Sequence, residues 1–200
     1  YTLNEFIYWL PLPQEAAQTL DFAGRWSNER HPQRRDIATG TWVRDSREGR
    51  SGHNFTIAQV ALEASTTFAS GSAWALSSAW SGNNQNLVER TAEGFQAIGA
   101  GELLLPGEVI LEAGQDYVAP RVVAVFSSAG LDGVTDSFHR HIRARAQHPK
   151  RPRPLTLNMW EAIYFEHSFE KIKSLVDVAS EIGIERVVLD DGWFGSRRDD

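Results

Sequence analysis

From residue 1 to about 130, apolar and polar positions alternate in short runs that Gly, Asn and Asp interrupt, and the alternation has begun by Leu3. A period of two over a few residues puts one apolar face on a pleated strand, so this region predicts antiparallel β-structure. Thr56 to Glu63 is one strand candidate, and Leu103 to Leu105, Val109 to Glu112 and Tyr117 to Phe126 are others. Ala73 to Trp80 and Asn86 to Thr91 flank Ser81-Gly82-Asn83-Asn84. Residues of that kind tolerate positive φ, so the two runs predict a hairpin. Many short strands with closely spaced turn signals predict a β-sandwich. Pro120 has no N–H to give a ladder, which predicts a sheet edge or a bulge there.

The period changes after Gly133. Val134, Phe138, Ile142 and Ala146 recur at roughly helical spacing with basic residues opposite, predicting a connecting helix over Val134 to Arg145. Pro149, Pro152 and Pro154 then forbid further helix, so the Pro- and Arg-rich stretch that they punctuate predicts an extended linker. Next comes a strand over Leu155 to Trp160. Ser168 is a candidate N-cap for a helix with Phe169, Ile172, Leu175, Val176, Ala179 and Ile182 on one face, and Gly183 stands at its C-terminal stop. Ile184 to Leu189 is a second strand. A strand, a crossover helix and a strand with no hairpin turn predict a parallel pair, with which both (β/α)8 barrels and doubly wound sheets begin. The expected organisation is a β-sandwich over residues 1–132, a connecting helix and linker over 133–154, and the start of an α/β domain over 155–200.

Composition narrows the chemistry. Lys and Arg number 20 against 26 Asp and Glu, a net charge of -6, and no aromatic residues interleave with the basic linker, so nucleic acid is not an expected partner. The absence of cysteine excludes disulfides, thiolate zinc sites and a cysteine nucleophile. Apolar stretches such as Val122 to Phe126 are too short to cross a membrane as a helix. No glycine-rich phosphate loop follows either strand of the parallel pair, so no nucleotide cofactor is expected. The chain starts at Tyr1 and stops at Asp200 directly after a dense motif, which reads as a piece of a longer protein. The lack of a charged-then-apolar leader points to the cytoplasm.

Candidate chemistry gathers at the strand exits. Val187-Val188-Leu189 runs into Asp190-Asp191-Gly192-Trp193. Two carboxylates at the mouth of a buried strand need partners, and the C-terminal strand ends of parallel folds face the ligand crevice. The first strand delivers Trp160 to the same rim. An indole face packs against the C–H face of a sugar ring, and carboxylates accept from neighbouring hydroxyls. Read singly, the same residues also fit a plain Asp-Gly turn, a helix cap, a core tryptophan or a sparse divalent-cation site, and all of these stay open on the residues alone.

The stretch Leu155-Thr156-Leu157-Asn158-Met159-Trp160-Glu161-Ala162-Ile163-Tyr164-Phe165, a helix, and Val188-Leu189-Asp190-Asp191-Gly192-Trp193-Phe194-Gly195 resemble the start of the catalytic barrel of microbial α-galactosidases of glycoside hydrolase family 36. Leu10 to Pro13, Gly24 to Arg30 and Gly49 to Asn54 resemble the β-sandwich that precedes that barrel, although Ser51-Gly52-His53 departs from the family's usual Ser/Thr-Ser-His. The resemblance implies an N-terminal antiparallel β-sandwich followed by the first β-α-β of a (β/α)8 TIM barrel. It implies Trp160, Asp190, Asp191 and Trp193 as substrate-binding residues, the two carboxylates taking galactose hydroxyls and Trp193 lining the rim. It further implies hydrolysis of terminal α-linked galactose from oligosaccharides such as melibiose and raffinose, with retention of configuration and without metal or organic cofactor. The family nucleophile follows a Lys-x-Asp pattern that this sequence lacks, so the nucleophile and the acid/base are expected beyond Asp200. The parent enzyme is expected to be a homo-oligomer. A galactosyl-transferring enzyme of the same superfamily and a non-catalytic sugar-binding relative are the alternatives.

Overall fold

A computed structural model describes residues 1–54 and 58–192 of the chain. The chain divides into two compact units, residues 1–145 and 146–200.

The first unit is a two-sheet sandwich. Five strands form one sheet: β3 (Gln18–Arg25), β4 (Asn28–Asp36), β6 (Gln59–Leu62), β7 (Ala73–Ser78) and β11 (Val122–Ser127), in the order β11-β7-β6-β3-β4. Four form the other: β2 (Glu5–Leu12), β5 (Gly40–Ser46), β8 (Asn84–Arg90) and β9 (Gln96–Leu103), in the order β2-β9-β8-β5. Short strands β1 (Thr2–Leu3) and β10 (Val109–Ile110) pair with each other. Every pairing in this unit's sheets is antiparallel. Leu12, Val88, Ile98 and Ala100 of the smaller sheet meet Ala61 and Leu76 of the larger one in the core between the layers.

Helix α1 (Gly130–Arg143) closes the outer face of the larger sheet, where Val134, Leu131 and Phe138 join Leu20, Val60, Leu62, Ala73 and Ala75 in a second core. This explains why β6 is buried at all four positions: its alternate residues face the other sheet and the helix, so neither face meets water. The helix expected to be a connector is thus part of the sandwich unit's core.

Asp21 is fully buried between the layers. Its Oδ2 accepts from Arg35 Nη1 at 2.9 Å and from Trp42 Nε1 at 2.8 Å, and the Arg35 guanidinium lies 4.0 Å from the centre of the Trp42 ring. This cluster ties β3 and β4 to β5 of the opposite sheet.

Several local readings change. The hairpin expected around Ser81-Gly82-Asn83-Asn84 does not form, because β7 and β8 belong to different sheets. The segment crosses from one layer to the other, so each strand buries its apolar face without pairing with its sequence neighbour. The strand expected over Tyr117 to Phe126 starts only at Val122, beyond Pro120, and lies at a sheet edge. Of the strand expected over Thr56 to Glu63, Gln59–Leu62 is seen as β6, while Thr56 and Ile57 fall outside the described residues.

The second unit holds β12 (Thr156–Asn158), α2 (Trp160–Ile163), α3 (Phe169–Glu181) and β13 (Arg186–Val188). Strands β12 and β13 are parallel, with Asn158 opposite Val188. Ser168 Oγ accepts from Lys171 N at 3.2 Å and caps α3, and Gly183 at φ 85° ends it. Trp160 is not the end of a strand as expected: β12 stops at Asn158, and Trp160 opens the short helix α2.

Candidate functional site

The C-terminal ends of β12 and β13 lie side by side and carry the candidate residues. Asp190 follows β13 by two positions, and Asp191 and Gly192 turn the chain. Asp190 and Asp191 are both half-buried. Trp193 lies outside the described residues.

One side chain links the two exits. Asn158, the last residue of β12, donates through Nδ2 to Asp190 Oδ2 at 2.6 Å, and its Oδ1 accepts from the Trp160 N–H at 2.8 Å. Asp190 Oδ1 accepts from the Asp191 N–H at 2.9 Å. The last backbone contact between the strands, Met159 N–H to Val188 O at 3.1 Å, stands directly beneath. The side-chain bond thus continues the ladder past the point where the backbones diverge.

Aromatic packing joins the same two exits. The Trp160 indole makes edge-on contacts with Tyr164, ring centres 5.2 Å apart, and with Phe165, 5.0 Å apart. Phe165 in turn lies against Gly192, as does His167: a Cβ on Gly192 would sit 3.0 Å from Phe165 Cδ1 and 3.0 Å from His167 Cε1. Gly192 also holds φ at 90°, which an L side chain rarely adopts. The loop after β12 and the turn after β13 therefore touch through Phe165, His167 and Gly192.

Tyr164 is held at φ 47°, a left-handed conformation uncommon for a bulky residue. Its N–H donates to Trp160 O at 2.8 Å and its carbonyl accepts from His167 Nε2 at 2.9 Å, so neighbours on both sides hold the bend. The Tyr164 hydroxyl donates to Glu161 Oε2 at 3.1 Å, and this bond, with the carboxylate's negative charge, raises the phenol above its ordinary pKa. Further along the loop, Lys171 Nζ lies 2.6 Å from Glu166 Oε2 and holds that carboxyl below its usual range, chiefly through the hydrogen bond. Among the described residues no group of three or more His, Asp and Glu is arranged to hold a metal ion.

The structure thus places Trp160, Asp190 and Asp191 at adjacent strand exits, with Asn158 joining the first two. Sequence reasoning had not assigned a role to Asn158, Phe165 or His167. Asn158 stood in the Leu155 to Phe165 stretch that carries the family resemblance, but nothing local to it showed which residue it would meet.

Residues 1–112 match the Glycosyl hydrolase family 36 N-terminal domain, and residues 116–200 match Melibiase. The chain belongs to glycoside hydrolase family 36. An α-galactosidase of Escherichia coli is 33% identical over 202 residues, covering 100% of this chain and 28% of that protein. The α-galactosidase AgaA of Geobacillus stearothermophilus is 38% identical over 182 residues, covering 88% of this family 36 chain and 25% of that enzyme. The crystal structure of AgaA superposes with a TM-score of 0.85 at 32% identity, over 96% of this chain and 27% of the other. A variant of AgaA solved in complex with raffinose superposes equally well, with a TM-score of 0.85 and the same coverage. The sandwich and the parallel β-α-β after it thus match the N-terminal domain and the start of the catalytic domain in family 36 structures. This family 36 chain spans 28% and 25% of the length of the two curated relatives.

Outside this site, two of the sandwich segments with family character come together. Parts of Gly24 to Arg30 and of Glu48 to Asn54 line one open cleft of about 830 Å³, across which His53 Nδ1 lies 3.8 Å from Glu29 Oε1.

Proposed function

We propose that this chain supplies the sandwich domain and the first galactose-binding strands of an α-galactosidase that removes terminal α-linked galactose from oligosaccharides such as melibiose and raffinose. The observation that carries the reading is the Asn158 bridge, which holds a carboxylate and the base of an indole at neighbouring parallel strand exits. A galactose bound there would lay its C–H face on Trp160 and donate hydroxyls to Asp190 and Asp191. Trp193, outside the described residues, stays a substrate-binding candidate in this reading. The raffinose complex of AgaA supports the substrate class.

In this reading the sandwich domain includes α1, the Pro- and Arg-rich stretch after it connects, and residues 155–200 open a (β/α)8 barrel whose later strands bring the nucleophile and the acid/base. The reaction retains anomeric configuration through a glycosyl-enzyme, the two carboxyl groups standing about 5 Å apart. Asp190 and Asp191 hold the sugar and do not take part in bond cleavage.

The test is hydrolysis of raffinose by the full-length enzyme, with galactose and sucrose as products, and by its Asp191→Asn variant. One charge-assisted hydrogen bond is worth about 1.5–3 kcal/mol, so the variant should lose about 10- to 150-fold in kcat/KM. Unchanged kinetics would remove Asp191 from the pocket. Transfer of galactose to a sugar acceptor in place of water would reassign the enzyme to transfer chemistry, and binding without turnover would make it a sugar-binding protein.

A further inference from the structure

We infer that Asn158 is a positioning residue for galactoside hydrolysis, its amide fixing the Asp190 carboxylate in the orientation that receives the sugar. The inference rests on the α-galactosidase reading above and assigns a role to a side chain that need not touch the substrate.

The hydrogen-bond pattern admits one orientation of the amide. The Trp160 N–H can only donate, so the Asn158 atom 2.8 Å from it is the carbonyl oxygen. The other end is then the NH₂ group, and it donates to Asp190 Oδ2 at 2.6 Å. Asp190 Oδ1 is held in turn by the Asp191 N–H at 2.9 Å. Among the described residues each carboxylate oxygen therefore has one donor, and each keeps further lone-pair capacity for sugar hydroxyls. The carboxylate is gripped from both sides before any ligand arrives. A site held in this way loses little freedom when the sugar binds.

Asparagine suits the position because it carries an acceptor and a donor on one short planar group. Alanine would carry neither. Aspartate keeps the acceptor for Trp160 and replaces the donor by a second carboxylate oxygen facing Asp190. Two carboxyl groups at hydrogen-bond distance ionise one after the other, and while they share a proton the shared bond imitates the Asn–Asp bond. Once both are charged they repel. Among the described residues the other ionisable groups near the two strand exits are Asp191 next along the turn, His167 against Gly192, and Glu161 and Tyr164 around α2. Wild-type enzyme carries all four, so its own pH profile is the reference.

The experiment compares raffinose hydrolysis by full-length wild type, Asn158→Ala and Asn158→Asp between about pH 4 and pH 8, a window that brackets the loss of a shared carboxyl proton, with thermal melts of each. Asn158→Ala should lose about 10-fold or more in kcat/KM at every pH. Asn158→Asp should approach wild type at the acid end, and its ratio to wild type should fall about 10-fold as the pH rises and the shared proton is lost. A structural role alone would not produce that slope. A flat Asn158→Asp ratio, or an Asn158→Ala enzyme within about twofold of wild type, overturns the positioning role while leaving the α-galactosidase reading in place. Should Asn158→Ala fail to fold, the Asn158→Asp profile decides. An insoluble Asn158→Asp protein marks Asn158 as a folding residue and also overturns the proposal. A wild-type enzyme that leaves raffinose and other α-galactosides intact overturns the function and this inference together.

Discussion

Gly192 packs against the imidazole of His167 so closely that a methyl group on its Cα would lie 3.0 Å from Cε1. The turn that carries Asp190 and Asp191 is therefore pressed onto the loop that follows β12, and its geometry depends on a residue without a side chain. Gly192→Ala adds both the contact and a left-handed conformation, at φ 90°, that costs a residue with a Cβ about 1–2 kcal/mol. The full-length variant should melt lower and show a raised KM for raffinose. A KM equal to wild type would mean that the turn yields without moving the carboxylates.

Tyr117 gives the sandwich an alkaline limit. Its hydroxyl donates to the buried carboxylate of Glu102, and burial, then that bond and the carboxylate's charge, push the phenol up to about 12. In the unfolded chain a tyrosine loses its proton near 10, so the unfolded state is the first to ionise. The contribution to stability is complete below pH 10 and disappears as the pH rises through 12. Chemical denaturation at a series of alkaline pH values should show this decline, and Tyr117→Phe should flatten it while lowering stability at neutral pH.

Removal of Arg35 should strike the sandwich core. The Asp21 side chain has no exposed surface, whereas that of Arg35 is 32% exposed. Arg35→Ala leaves a buried carboxylate with Trp42 Nε1 but without its cation. The loss should be about 3 kcal/mol, toward the lower part of the range for broken buried pairs because water reaches the arginine. Arg35→Lys should recover part of it, since the charge returns without the planar stack on Trp42. Denaturant midpoints of the three proteins are the measurement.

Ser168→Ala removes the side-chain acceptor for Lys171 N and should cost about 1 kcal/mol of stability in the second unit. Asparagine at the same position should restore it, because the cap needs only a short oxygen acceptor.

Expressed by itself, the 200-residue chain should associate. Leu155, Phe169, Val178 and Ile182 of the second unit are each at least 60% exposed, and apolar surface of that kind on a soluble chain marks a contact site or an aggregation hazard. Light scattering and size exclusion read this directly, and a monomeric chain with a cooperative melt would contradict it.

The parts legible in the sequence were those decided over short distances. The parallel β-α-β could be read because the Ser168 cap, the apolar stripe from Phe169 to Ile182 and the Gly183 stop are local, and each acts within a turn or two of helix. The strand alternation of the sandwich was legible for the same reason. Asp190 and Asp191 stood out because charge at the exit of an apolar strand is conspicuous wherever the strand goes.

Other features were decided only by tertiary structure. The Ser81-Gly82-Asn83-Asn84 segment has the composition of a hairpin, yet β7 and β8 join different layers, a choice made by how two apolar faces pack. Helix α1 has the pattern of any amphipathic helix, and only packing shows that its stripe completes the core beneath β6 and β7. Asn158 and Asp190 lie 32 positions apart and meet because the strands that carry them are parallel and in register. Hydrophobic period and capping are properties of neighbouring residues, so the chain writes them down in order. A hydrogen bond across two strand exits depends on where separate elements come to rest, and no run of adjacent residues encodes that.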